Sequence, residues 1–169
     1  MIRILKQIFR SGIVTEPVPP VLDPEIEKIA VKLEKIIRRR FRGSLAIRQV
    51  DAGSCNGCEL EIHAMNNVFY NCERFGIHFT ASPRFADLLL VTGPVSRNME
   101  IALKKTYEAT PSPKIVVAVG DCGCNGGVFG ESYASLGGID RVIPVDARIP
   151  GCPPTPTVLL QSILKVLED

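Results

Sequence analysis

The feature that most restricts this chain is a pair of short runs, ADLLLVTGPV (residues 86–95) and KIVVAVG (114–120), apolar at nearly every position over the length of a strand. A strand with one wet face alternates apolar and polar side chains, whereas a strand apolar throughout must be covered on both faces. A parallel sheet sandwiched between helices meets that demand. The neighbouring segments agree. SLAIRQV (44–50), IHFTAS (77–82) and RVIPVD (141–146) read as further strands, and residues 59–75, 97–109 and 155–168 read as helices. Strands alternating with helices predict an α/β domain built on a doubly wound parallel sheet. In such sheets, sites form in the crevice at the carboxyl ends of the strands.

Ahead of residue 44 the texture differs. Residues 1–43 read as an N-terminal helical extension with a Pro-rich connector, and residues 44–169 as the α/β domain. IRILKQIFRS (2–11) sets Ile2, Leu5, Ile8 and Phe9 on one side and Arg3, Lys6, Gln7 and Arg10 on another. That is a short cationic amphipathic helix, suited to a membrane interface or a partner surface, or equally to packing on its own domain. TEPVPPVL (15–22) carries three prolines and reads as an extended connector. Asp23-Pro24 then opens a second helix as N-cap and first helical position. Its apolar stripe is Ile26, Ile29, Ala30, Leu33, Ile36, Ile37 and Phe41. Glu25 and Glu27 near its start and Arg38, Arg39 and Arg40 near its end complement the helix dipole.

Charge is unevenly placed. Residues 1–48 hold eleven Lys and Arg against five Asp and Glu, and the rest holds nine against thirteen. The basic end points to an anionic contact, a membrane surface or an acidic partner, or simply to a solvated face. No nucleic-acid partner is expected. Arg3, Lys6 and Arg10 interrupt the first apolar residues, so no signal-peptide core is read there, and no 18-residue uncharged apolar run exists to span a membrane. The expected location is the cytoplasmic side, where disulfides are rare. At 169 residues the chain can bury roughly 68–70% of its unfolded surface. It needs no metal merely to fold, so a metal here serves function.

Six cysteines stand at 55, 58, 72, 122, 124 and 152. Cys55 and Cys58 follow the first predicted strand, Cys122 follows the apolar strand 114–120, and Cys152 follows the last strand. A doubly wound sheet brings those loops to one edge, where four thiolates converge. Four thiolates suit tetrahedral zinc or an iron–sulfur cluster. The spacing is C-x2-C, then 63 intervening residues, then 29. Structural zinc uses compact pairs, whereas a cluster gathers ligands from distant loops, and Cys152 is followed by proline as cluster cysteines often are. Glycines 120, 123, 126, 127 and 130 let backbone N–H groups approach an anionic group. A thioredoxin-like dithiol is the remaining alternative, but it leaves Cys122 and Cys152 without a role. Cys72 reads as a buried free thiol in a helix. Cys124 could replace Cys122, although Cys122 lies nearer the strand end.

Three stretches, SCNGCELEI, GDCGCNGG and IPGCPPTP, together resemble the small subunit of [NiFe] hydrogenases. The likeness is to the membrane-bound, energy-converting type, including the formate hydrogenlyase small subunit, which is related to the 20 kDa cluster-bearing subunit of respiratory complex I. It covers roughly residues 44–165. It implies a flavodoxin-like fold and one [4Fe–4S] cluster on Cys55, Cys58, Cys122 and Cys152. Gly120-Asp121-Cys122 and Gly126-Gly127 match the family's loop and so also favour Cys122, while Asp121 and Cys124 depart from its commoner form. The first two ligands stand two residues apart, as in hydrogenases, where the complex I subunit has adjacent cysteines.

The resemblance implies a chain with no bond chemistry of its own. It would pass electrons between a ferredoxin-like (polyferredoxin) subunit and the nickel–iron site of a large subunit. Protons would be reduced to H2 there, coupled to ion movement by integral membrane subunits. Two other functions are kept. One is the cluster-bearing subunit of a nickel-free, complex-I-like oxidoreductase acting on quinone or sulfur; the other is a zinc-stabilised interaction module. Glu59, Glu61 and His63, just past the C-x2-C, would carry protons or tune the cluster, or else form an ordinary acidic first turn. His63 and His78 are given no catalytic role.

Overall fold

The computed structural model describes residues 2–12 and 24–168. The Pro-rich connector 15–22 and the Asp23 cap lie outside the described residues. Five strands, β1 (Leu45–Asp51), β2 (Ile77–Phe79), β3 (Leu88–Thr92), β4 (Ile115–Val119) and β5 (Ala147–Ile149), form one sheet in the order β2-β1-β3-β4-β5. Every pairing is parallel. This is the doubly wound, flavodoxin-like order, whose direction of winding reverses between β1 and β3.

The two apolar runs behave as their composition demands. All five residues of β3 are buried. Leu88 and Leu90 face one core and Leu89 and Val91 the other; in β4, Val117 and Val119 divide from Val116 and Ala118 in the same way. The first core is closed by α2 (Pro24–Arg40), α3 (Gly57–Ala64) and α6 (Pro156–Glu168), through Leu33, Ile37, Ile62, Leu159, Leu160 and Ile163. The second is closed by α4 (Glu100–Ala109), through Leu103, and by the 139–143 segment, through Ile139 and Ile143. The apolar stripe of α2 is thus continuous with the core beneath β1, and Arg40 donates to the Leu167 carbonyl at the end of α6. α1 (Ile2–Ser11) differs: no residue in it is buried.

Three expectations need correction. RVIPVD (141–146) is not a strand. Pro144 has no N–H to give a ladder, Ile139–Arg141 is a 3-10 turn, and the pairing with β4 is made by Ala147–Ile149. The helix expected over 59–75 ends at Ala64, and the chain re-forms only as a 3-10 turn at Cys72–Phe75. Asn67 explains the break: its Oδ1 accepts from the N–H groups of Phe69 and Tyr70 at 2.9 and 3.0 Å, an Asx turn that competes with the helix. Finally, the stretch after β4 is not all loop, because Gly120–Asn125 forms a short helix, α5, carrying both Cys122 and Cys124.

Candidate metal centre

The segments that carry Cys55, Cys58, Cys122 and Cys152 all leave the carboxyl edge of the sheet, next to the β1/β3 reversal. After β1 the chain turns at once. Asp51 Oδ1 accepts from the N–H groups of Gly53 and Ser54, both at 2.7 Å, and Ser54 Oγ accepts from Asn56 N–H at 3.1 Å. Asn56 adopts a left-handed conformation, φ 71°, before α3 begins, so Cys55 sits in the turn and Cys58 in the first turn of the helix.

Two glycines let the strands close around the thiols. A Cβ at Gly120 would lie 2.6 Å from Cys58 Sγ, and one at Gly127 would lie 2.7 Å from Cys122 Sγ. Both positions have positive φ, 79° and 53°, the region that favours glycine. Gly57 stands beside Cys55, where a Cβ would be 3.6 Å from its Sγ and 3.9 Å from Pro153. The C-x2-C turn is therefore against the β4 end on one side and the Cys152 loop on the other.

Electrostatics report the same proximity. The Cys58 thiol is pushed up from 9.0 to about 12, first by burial, then by Glu59 and by Cys55, Cys122 and Cys152. Cys122 is also raised, by burial and then by Cys152 and Cys55, while a hydrogen bond from the Val128 N–H opposes the rise. Cys58 and Cys122, each raised by burial and by the sulfurs beside it, resist ionising unaided. A cationic group among them would remove the mutual penalty, since thiolates are the metal-binding form. The site fits an iron–sulfur group in three ways: four sulfurs, glycines where side chains would collide with them, and an N–H aimed at one sulfur. Among the described residues no group of three or more His, Cys, Asp or Glu is disposed to hold a single metal ion.

The other two cysteines are elsewhere. Cys72 is fully buried in the first core, its Sγ donating to Asn66 Oδ1 at 3.0 Å. Cys124 shares α5 with Cys122 but turns toward Ala118 O, at 3.8 Å, and is raised by burial and Asp121 and lowered by Arg148. Glu59 is 5% exposed and neither carboxylate oxygen has a partner. His63 is exposed and lines a cleft of about 480 Å³ with Arg48, Gln49, Asn66 and Thr80, off the cysteine cluster. What the sequence reading missed was the contact role of Gly120 and Gly127. The only available signal was the density of glycine around Cys122.

Residues 55–166, from the first of these cysteines almost to the end, match the family described as NADH ubiquinone oxidoreductase, 20 Kd subunit. The chain belongs to that family. Members generally carry an iron–sulfur cluster. Among relatives, the probable membrane-bound hydrogenase subunit mbhJ of Pyrococcus furiosus is 46% identical over 143 residues, 85% of this chain and 83% of that protein. Formate hydrogenlyase subunit 7 of Escherichia coli is 43% identical over 151 residues, 89% of this chain but 58% of its own length. A chain in the structure of the membrane-bound sulfane sulfur reductase, an archaeal respiratory membrane complex, superposes with TM-score 0.66 at 37% identity, covering 81% of this chain and 74% of that one. The family's relatives are subunits of oxidoreductase complexes, and this chain is a subunit of that kind. No helix among the described residues is long and apolar enough to cross a membrane, and a peripheral association with a membrane complex is consistent with that.

Proposed function

We propose that the chain is the electron-transfer small subunit of a membrane-bound [NiFe] hydrogenase, holding one [4Fe–4S] cluster on Cys55, Cys58, Cys122 and Cys152. The observation that carries this is the gathering of the four cysteine-bearing segments at one sheet edge, with Gly120 and Gly127 leaving room for Cys58 and Cys122 Sγ, in a chain of this family. Bound there, the cluster would supply one-electron transfer between a ferredoxin-like subunit and the nickel–iron site of the large subunit, where protons become H2 and integral membrane subunits move ions. The chain's own part is to hold and shield. Cys58 and Cys122 are partly buried, and Cys55 and Cys152 open outward. Leu60, Val128 and Phe129, beside Cys58 and Cys122, are 61, 93 and 57% exposed. Large apolar side chains left out around a polar site mark a surface awaiting a partner, here the large subunit.

The hydrogenase reading is supported over its neighbours by the C-x2-C spacing and by the names of the relatives at 46 and 43% identity. The sulfane sulfur reductase likeness favours a second reading, a nickel-free complex-I-like subunit acting on sulfur or quinone. The zinc module has least support. Structural zinc is usually held by compact cysteine pairs, whereas these four cysteines come from three segments separated by 63 and 29 residues.

Nickel and iron analysis of the native complex purified through this chain separates the readings. Nickel near one per complex with excess iron is expected. Iron without nickel moves the function to the sulfur- or quinone-reducing relatives, and zinc without iron overturns both. We further propose that α1 holds the chain to an anionic membrane surface or to the membrane subunits. Ile2, Leu5, Ile8 and Phe9 are 82, 52, 59 and 86% exposed, and Arg3, Lys6 and Arg10 accompany them. Deleting residues 2–14 is expected to shift the complex from the membrane fraction to the soluble fraction with the cluster retained. Unchanged membrane recovery removes the idea.

A further inference from the structure

Aspartates close two strand pairs of this sheet, at three ends, with the same reciprocal device. At the amino end of β1 and β3, Asp87 N–H donates to Ala46 O at 2.8 Å and Ala46 N–H donates to Asp87 Oδ2 at 2.9 Å. At the amino end of β4 and β5, Asp146 N–H donates to Val116 O at 2.9 Å and Val116 N–H donates to Asp146 Oδ2 at 2.7 Å. The third lies at the opposite, carboxyl end of the β4–β5 pair. There Asp121 N–H donates to Gly151 O at 2.9 Å and Gly151 N–H donates to Asp121 Oδ1 at 2.8 Å.

The first two sit where only the fold uses them. The third sits between chemistry. Asp121 is the residue before Cys122, and Gly151 is the residue before Cys152. The ladder itself stops at Val119↔Ile149, so beyond it no strand pairing holds the two segments together. Asp121 supplies the next two bonds, one from its backbone and one from its side chain. Neither bond involves a thiol, so the link forms from the chain's own groups alone. The Gly151 end is also fixed: its φ is 136°, and a Cβ there would lie 2.8 Å from Pro154 Cα.

We infer that Asp121 is a positioning residue, whose carboxylate clasps Gly151 and sets the Cys122 and Cys152 segments at the spacing the metal centre needs. This rests on the four-thiolate reading above. It gives Asp121 of GDCGCNGG a task that the neighbouring glycines cannot perform, since they lack an acceptor side chain.

The test compares the full chain with Asp121→Ala, Asp121→Asn and Asp146→Ala, purified without oxygen and reconstituted with iron and sulfide. Asp146→Ala removes the same kind of bond at the far end of the same strand pair and is the structural control. In the iron-free chain, the Gly151 amide is expected to exchange about five- to tenfold faster in Asp121→Ala, the loss of one net hydrogen bond. In the reconstituted chain, Asp121→Ala is expected to lose most of its iron and to broaden the paramagnetic resonance signal of the reduced cluster. Asp121→Asn, whose Oδ1 accepts the same bond, is expected to restore both, and Asp146→Ala to melt earlier but keep its iron. Equal iron loss in Asp146→Ala, full iron and an unchanged signal in Asp121→Ala, or unaltered Gly151 exchange each overturns the inference. A wild-type chain that takes up no iron–sulfur group overturns the reading of the site instead. Gly151 exchange, measured without iron, still decides whether the clasp exists.

Discussion

Cys58 and Cys72 lie at the start of α3 and in the turn beyond it, and burial raises both thiols, to about 12 and about 11. The rest of their surroundings differ. Around Cys72 the remaining influences are local: Glu73 raises it further and its own backbone lowers it, while Asn66 Oδ1 accepts a hydrogen bond from the thiol. Around Cys58 they come first from Glu59 beside it, then from Cys55 in the same turn and from two other strand-end segments, through Cys122 and Cys152. One cysteine is satisfied by the fold and the other is left beside a carboxylate and three further sulfurs that oppose its ionisation. Burial by itself therefore does not separate a structural thiol from a ligand; the identity of the other groups does.

The largest effect that sharpens this contrast is total. Cys55→Ser, Cys58→Ser, Cys122→Ser or Cys152→Ser is expected to abolish electron transfer through the complex and to strip the chain's iron, while Cys72→Ser leaves both. Iron content and reduced-minus-oxidised spectra check it. Full activity in Cys122→Ser with loss in Cys124→Ser would show that the ligand in α5 has been misassigned.

The next effect concerns Cys72 alone. Its folded thiol keeps its proton up to about 11, where an unfolded thiol gives it up from 9.0. The folded state thus holds more protons between those values, and the stability contribution is complete below pH 9.0 and lost as pH rises to about 11. The full span is on the order of 2–3 kcal/mol. Urea unfolding of the iron-free, reduced chain between pH 8 and 11 is expected to show a steeper alkaline fall than Cys72→Ala, and parallel curves would break the argument.

Gly120→Ala comes third. The left-handed conformation costs a side chain roughly 1–2 kcal/mol, before Cys58 Sγ moves away from a methyl group placed 2.6 Å from it. Lower stability together with lower iron uptake is expected, against Gly12→Ala, where the added Cβ meets nothing within 4 Å, as control. Lower stability with unchanged iron would separate the glycine from the site. The smallest effect is Cys124→Ser, expected to leave iron content unchanged because its thiol faces Ala118 O rather than the other sulfurs.

Much of this was legible because burial on two faces writes itself plainly: LLLVT and IVVAV cannot be half-wet strands, and they fixed sheet type and the edge at which the cysteines gather. What failed to read depended on single polar groups or missing ones. Pro144 and the competing partner at Ala147–Ile149 overrode the apolar run 141–146. The Asn67 carbonyl ended a helix that periodicity would have continued to Phe75. At the candidate site, the cysteine spacing suggested four sulfurs, but which glycines touch them, and that Asp121 reaches Gly151 30 residues on, are facts of packing between separate segments. α1 and α2 make the same point. Both show amphipathic patterns, yet α2 buries Ile29, Leu33 and Ile37 and α1 buries nothing, because a pattern declares an apolar face without declaring what covers it.

The outward placement of Cys55 and Cys152 has a consequence for the history of the molecule. Oxidants reach sulfur by way of solvent, and the first lesions on an accessible thiolate are sulfenic acid and mixed disulfide. Two of the four sulfurs are exposed in the free chain. In the proposed complex its chemical survival would be set by timing, by how briefly it exists between folding and enclosure, and a cell that assembled the complex slowly would lose the chain at those two positions before it lost the fold.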